Sequence, residues 1–128
     1  LSVRLKPQTG RNDQGGGVVW RYRDARNYYV CRWNPLENNF RLYKVLDGKR
    51  SQMDTAKVNA DPRGWHTLRV VHVGREIRCS LDGTLLLEAE NDEIAASGRV
   101  GLWTKSDAVT RFDDFSAGSG AATDVEEL

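Results

Sequence analysis

The sequence predicts an all-β protein, an antiparallel β-sandwich of about ten strands. Three observations carry this. Short runs alternate apolar and polar residues with period two, turn residues recur every ~8–12 positions, and no segment sustains a helical period. With 128 residues the chain fits one domain, and 39% apolar residues are enough for a core.

Leu1, Val3 and Leu5 alternate with Ser2, Arg4 and Lys6, which reads as a half-buried strand. Thr9 to Gly17 is polar and ends in three glycines. Such a run cradles phosphate when it opens a helix; here it opens Val18-Val19-Trp20-Arg21-Tyr22-Arg23, a strand, so it reads as a flexible loop. Asp24 to Asn27 turns the chain into Tyr28-Tyr29-Val30-Cys31-Arg32-Trp33, and Asn34 to Asn39 turns it again into Phe40 to Val45. Asp47-Gly48 is a hairpin signal leading into a partner strand from Lys49 to Val58. After Asp61-Pro62-Arg63-Gly64, a long strand runs from Trp65 to Val73 and turns at Gly74-Arg75 into Glu76 to Leu81. Asp82-Gly83 makes a second hairpin into Thr84 to Ala89, and strands from Arg99 to Thr104 and Val109 to Ala117 close the domain. The domain is expected over 1–117, with 118–128 a flexible tail.

Nineteen basic and eighteen acidic residues leave a net charge of +1, against the basic surplus usual in nucleic-acid binders, so no nucleic-acid partner is expected. No apolar run approaches the ~20 residues of a membrane helix, so no membrane insertion is expected. Cys31 and Cys79 are outside any CxxC pattern and lack metal-spaced histidines. They read either as buried free thiols or as a disulfide in an oxidising compartment. His66 and His72 share one face of their strand, ~20 Å apart, too far to hold one metal, and surface roles are expected for both. No metal and no cofactor is expected.

Several stretches in order carry a family likeness: Gly17 to Tyr22 with Asn27-Tyr28-Tyr29, Asn39 to Val45 then Asp47 to Arg50, Trp65-His66-Thr67-Leu68-Arg69-Val70, Leu81-Asp82-Gly83, Gly98 to Trp103, and Phe112-Asp113-Asp114-Phe115. From Leu1 to about Ala117 the chain resembles the concanavalin A-like lectin/glucanase superfamily, in its bacterial laminin G-like and 3-keto-disaccharide hydrolase (family-sixteen-like) branches. The resemblance implies a jelly-roll sandwich with a glycan-binding sheet, and a periplasmic or secreted location. Beside that family, the opening inside a strand at Leu1 reads as a fragment, a minimal variant or a domain cut from a longer protein, and a truncated sandwich would leave unpaired edges through which a homodimer could join.

The glucanase branch carries carboxylates in a Glu-x-Asp-x-x-Glu strand, and Glu88 to Glu93 has a superficially similar rhythm. It sits at a strand end without the burial that raises one carboxyl's pKa, so no catalytic residue is assigned. Asp24, Glu37 and Asp107 are the loop acids that a hydrolase reading would have to use. A sugar site needs flat aromatic rings beside planar polar groups. Pairing around Asp24 to Asn27 would put Arg21 with Arg32 or Tyr28 on one face, and Trp20 and Tyr22 with Tyr29 or Trp33 on the other. Trp20 is a candidate for either core or platform, and Trp103 with Asp107 stands where a strand leaves the sheet. The expected ligand-binding set is therefore Trp20, Arg21, Tyr28, Arg32, Trp103 and Asp107, on a carbohydrate-binding, non-catalytic module. A glycoside hydrolase-like enzyme and a laminin G-like protein-interaction module are the alternatives.

Overall fold

The computed structural model describes residues 1–9, 15–96, 98–104 and 108–118. It contains β1 (Ser2–Thr9), β2 (Gly16–Asp24), β3 (Asn27–Asn34), β4 (Asn39–Leu46), β5 (Lys49–Lys57), β6 (His66–Val73), β7 (Glu76–Leu81), β8 (Thr84–Glu90), β9 (Arg99–Trp103) and β10 (Val109–Ser116). They form two five-stranded antiparallel sheets, β10-β1-β6-β7-β8 and β5-β4-β3-β2-β9. Expected position 107 and most of the expected tail, 119–128, lie outside the described residues.

Strand alternation builds the core directly. Val3 and Leu5, Leu68 and Val70, and Ile77, Cys79 and Leu81 point inward from the first sheet. Val18 and Trp20, Tyr29, Cys31 and Trp33, and Phe40 and Leu42 meet them from the second. The hairpins follow from their turn residues: Asp47-Gly48 and Asp82-Gly83 have φ of 52° and 80°, and 52° and 82°, the positive pair that a tight two-residue turn demands. Cys31 and Cys79 are both buried and free, one from each sheet; burial first, then the neighbouring Cys79 thiol, push the Cys31 thiol up.

The glycine run is not a loop throughout. Gly16 and Gly17 are β2 residues, paired with Trp33 and Arg32. A Cβ on Gly17 would stand 1.9 Å from the Cys31 carbonyl oxygen, and one on Gly16 would stand 2.6 Å from that of Trp103. Glycine is therefore needed there for close strand approach rather than for flexibility.

The two histidines do share a face of β6, but it is the inner one. His66 packs edge-on against Trp33 with ring centroids 4.7 Å apart, while its Nδ1 lies 2.6 Å from Asp82 Oδ2. At the other end of the strand, Trp20 Nε1 donates to His72 Nδ1 at 3.0 Å, and His72 Nε2 lies 2.9 Å from the Asn91 carbonyl oxygen. Tyr29 Oη donates to Asn91 Oδ1 at 2.5 Å and accepts from the Ile94 amide at 3.4 Å. Surface placement fails for these histidines because their parity matches Leu68 and Val70, and the polar groups at each end of the sandwich give the rings partners.

The Trp20 donor leaves His72 Nδ1 only an acceptor's role, so a proton there would oppose the indole N–H. Burial first, and then the charge of Arg21, lower its pKa from 6.5 to about 4. The unfolded chain takes up this proton near its ordinary pKa and the folded chain only near the lower one, so stability falls as pH drops through that window. The contribution is complete above 6.5 and is lost progressively toward about 4. It is on the order of 1–2 kcal/mol once solvent access to the half-buried ring is allowed for.

Denaturant unfolding at about pH 7 and about pH 4.5 should show the native chain losing more stability than His72→Gln; equal losses would remove His72 as the cause. By the same method Gly17→Ala should lose more than about 2 kcal/mol.

Candidate ligand-binding face

The second sheet has another face, turned away from the core. Val19, Val30 and Tyr43 are buried there, with Tyr22, Tyr28 and Trp103 packed around them. Strand register lays out the face in rows. Trp103, Gly17, Arg32, Arg41 and Thr55 form one row across β9, β2, β3, β4 and β5. Gly101, Val19, Val30, Tyr43 and Gln52 form the next. Arg99 and Tyr22, then Tyr28, Val45 and Arg50, lie beyond it, and Asn34, Asn39 and Lys57 lie on the opposite side. Adjacent strands ~4.8 Å apart make the surface ~19 Å wide, with rows ~7 Å apart.

Tyr43 is the hub. Its hydroxyl accepts from Arg32 Nη2 at 3.1 Å and Arg41 Nη1 at 3.4 Å. Arg50 sits over its ring, 4.7 Å from the centroid, and Arg32 lies 5.6 Å from it. Burial by itself would push the phenol's pKa up; hydrogen bonding from Arg41 and the charge and hydrogen bond of Arg32 together outweigh it and lower the pKa.

Arg32 is only 7% exposed and is held by the turn beside it. Its Nη1 donates to Asn39 Oδ1 at 2.5 Å, and Nη2 lies 3.7 Å from Glu37 Oε1. Asn34 Oδ1 accepts from the Leu36 amide at 3.0 Å, closing the turn, while Asn34 Nδ2 and Asn39 Nδ2 donate to Glu37 Oε1 at 3.2 and 3.3 Å. The asparagines thus aim the Glu37 carboxylate at the guanidinium. At the other end Tyr22 and Tyr28 stack with centroids 5.4 Å apart, and Arg99 lies 5.9 Å from the Tyr22 ring.

Tyr28, Arg32 and Trp103 from the expected set therefore share this face. Trp20 does not: it is 4% exposed, stacked on Tyr29 with centroids 5.7 Å apart, and its indole N–H is spent on His72. Arg21 does not either, since its guanidinium donates to the carbonyls of Ile94 and Gly74, both at 3.3 Å. The register shift in β2 between Trp20 and Asp24 breaks the simple alternation that would have put Arg21 beside Arg32 and Tyr22 inside. The sequence reading did not single out Arg41, Tyr43 and Arg50. The signal for Arg41 and Tyr43 was present, as β4 alternates Asn39, Arg41 and Tyr43 with the core residues Phe40 and Leu42.

Of the loop acids, Asp24 is exposed and has its pKa lowered by the Arg26 amide and the Asn27 side chain, the opposite of what a proton donor needs. Glu88 and Asp92 pair with Arg78 and Arg75, and Glu93 with Lys44. Asp114 pairs with Arg4 at 3.3 Å, joining β10 to β1. Among the described residues no group of three His, Cys, Asp or Glu could hold a metal ion, and no helix is long and apolar enough to cross a membrane.

No family model matches the chain, and no curated protein matches it. Solved structures do. The carbohydrate binding module CBM66 from Bacillus subtilis aligns with a TM-score of 0.73 at 19% identity, over 88% of this chain and 70% of that one. Sheep galectin-11, in a complex with glycerol, aligns with a TM-score of 0.63 at 11% identity, over 88% and 86%. The GH43 protein BlXynB from Bacillus licheniformis aligns with a TM-score of 0.52 at 19% identity, over 94% of this chain and 24% of that one. At these identities the likeness is one of fold: a β-sandwich of the concanavalin-like or jelly-roll kind.

Replacing Tyr43 with phenylalanine removes the shared acceptor of Arg32 and Arg41. Tyr43→Phe should lose about 1–2 kcal/mol in denaturant unfolding while keeping the sandwich fold by circular dichroism.

Proposed function

We propose that this chain is a carbohydrate-binding module that recognises an oligosaccharide on the face of Trp103, Tyr28, Tyr43 and Arg41, and that it binds without cleaving. The observation that carries the reading is the combination on one sheet face of half-buried aromatic rings with fixed planar guanidinium and amide groups. Pyranose rings present C–H faces to aromatic side chains and hydroxyls to planar polar groups, and both needs are met within adjacent rows. The fold shared with a carbohydrate binding module and a galectin supports the same reading. With this reading we place the protein in the periplasm or outside a bacterial cell, as the sequence resemblance implies.

Binding rather than hydrolysis is favoured by the acids. Glu37 is tied to Arg32 and two asparagines, and the other described acids named above are spent on turns or ion pairs. A second reading, an interaction module or homodimer joined through sheet edges, draws on the exposed Val100 and Leu102 of edge strand β9 and Val109 and Phe115 of edge strand β10.

A glycan array followed by calorimetric titration tests the proposal. Trp103→Ala and Arg41→Ala should each weaken binding about tenfold with the sandwich fold kept by circular dichroism, whereas the core variant Trp20→Phe should shift unfolding and leave affinity alone. A folded chain that binds no glycan, but sediments as a dimer dispersed by Leu102→Lys, would replace the first reading with the second.

A further inference from the structure

We infer that the sugar units recognised here are anionic, carrying a carboxylate or sulfate that seats between Arg41 and Arg50 above the Tyr43 hydroxyl; this rests on the reading that the face binds glycan. The chain as a whole is nearly neutral at +1, yet this face is not. Arg32, Arg41, Arg50, Lys57 and Arg99 all project from it, against the single carboxylate of Glu37 among the described residues. Of the arginines on this face, Arg32 is the one that Glu37 pairs with among the described residues.

Elsewhere on the surface, four arginines lie beside acids: Arg4 by Asp114, Arg63 by Asp61, Arg75 by Asp92, and Arg78 by Glu76 and Glu88. Arg41 is held differently. Its Nε donates to Thr55 Oγ1 at 3.2 Å and its Nη1 to the Tyr43 hydroxyl, both neutral acceptors. Arg50 is held only through the Tyr43 ring among the described residues. Arg32 and Arg41 thus crowd two like charges onto one phenolic oxygen, with a third cation over the same ring. This arrangement costs repulsion that an incoming anion removes.

The hydrogen-bond inventory agrees. A phenol that accepts from two guanidinium groups still has its own proton to give, and an acidic oxygen of a ligand is the natural acceptor. Guanidinium groups present paired N–H donors matched to a carboxylate or sulfate, and Tyr43 orients two of them in advance. Nucleic acid shares the negative charge, but its binders spread basic residues over a domain of pI above ~9, whereas this chain's pI is about 8.0.

The experiment uses the full chain and three probes of comparable length: an oligogalacturonate, its fully methyl-esterified form, and a sulfated neutral-backbone oligosaccharide. The acid or the sulfated probe should bind at least about tenfold more tightly than the ester, and the margin should shrink at high salt. Arg41→Gln and Arg50→Gln should each bring affinity for the charged probe down to that for the ester, with the sandwich fold kept by circular dichroism. If acid, ester and sulfated forms bind equally, the anionic inference fails and the glycan reading stands. Should no charged or neutral glycan bind, both fall. A preference for charge that survives both substitutions would move the seat away from Tyr43 and overturn the inference. Tighter binding of a single-stranded oligonucleotide of matched charge would replace a sugar with nucleic acid as the partner.

Discussion

The interior and the outer face of the second sheet both depend on one irregularity in β2, at Arg21. Its φ of 48° places a non-glycine residue in the left-handed region, and pairing with β3 is interrupted between Trp20 and Asp24. Without it, Trp20 and Tyr22 would share a face. With it, Trp20 goes into the core against Tyr29 and His72, while Tyr22 goes out to stack on Tyr28. The strain is held by two ties from the Arg21 guanidinium, to Ile94 and Gly74, which fasten the second sheet to the segment after β8 and to the β6–β7 turn. Gly98 completes the arrangement, since a Cβ there would stand 2.7 Å from the Arg21 backbone.

From that bulge the two faces of the second sheet take separate tasks. The inner face is apolar and ends in a polar network, Trp20–His72–Asn91–Tyr29, whose donors and acceptors match only while His72 is neutral. On the outer face a smaller apolar cluster of Val19, Val30 and Tyr43 supports a layer of arginines. Burying Arg32 in that layer is tolerable because Asn39, Tyr43 and Glu37 surround its guanidinium. The result is a polar surface whose side chains hold one another in fixed positions.

The face is also chemically lopsided in a way the whole chain is not. Arg32 lies beside Glu37, but Arg41 and Arg50 are held by neutral acceptors and an aromatic ring, and other acids pair at turns and on the other sheet. A near-zero net charge therefore conceals a local field, since position on a sheet, not composition, decides which charges add.

The sequence by itself determined the strands and most of their turns, because side-chain alternation and Asp-Gly pairs act over a few residues. It also placed Tyr28, Arg32 and Trp103 as candidates, and the structure puts them on one surface. Only the tertiary structure decided the rest. Whether Trp20 and Arg21 reach that surface depends on a bulge that breaks period two, and a bulge arises from cross-strand pairing and the approach of Gly98. Whether His72 is wet or dry depends on an indole supplied from the other sheet, fifty-two residues earlier. The Arg32–Arg41–Tyr43–Arg50 cluster joins three strands through register, and register is fixed by pairing across the sheet rather than by any local run of residues.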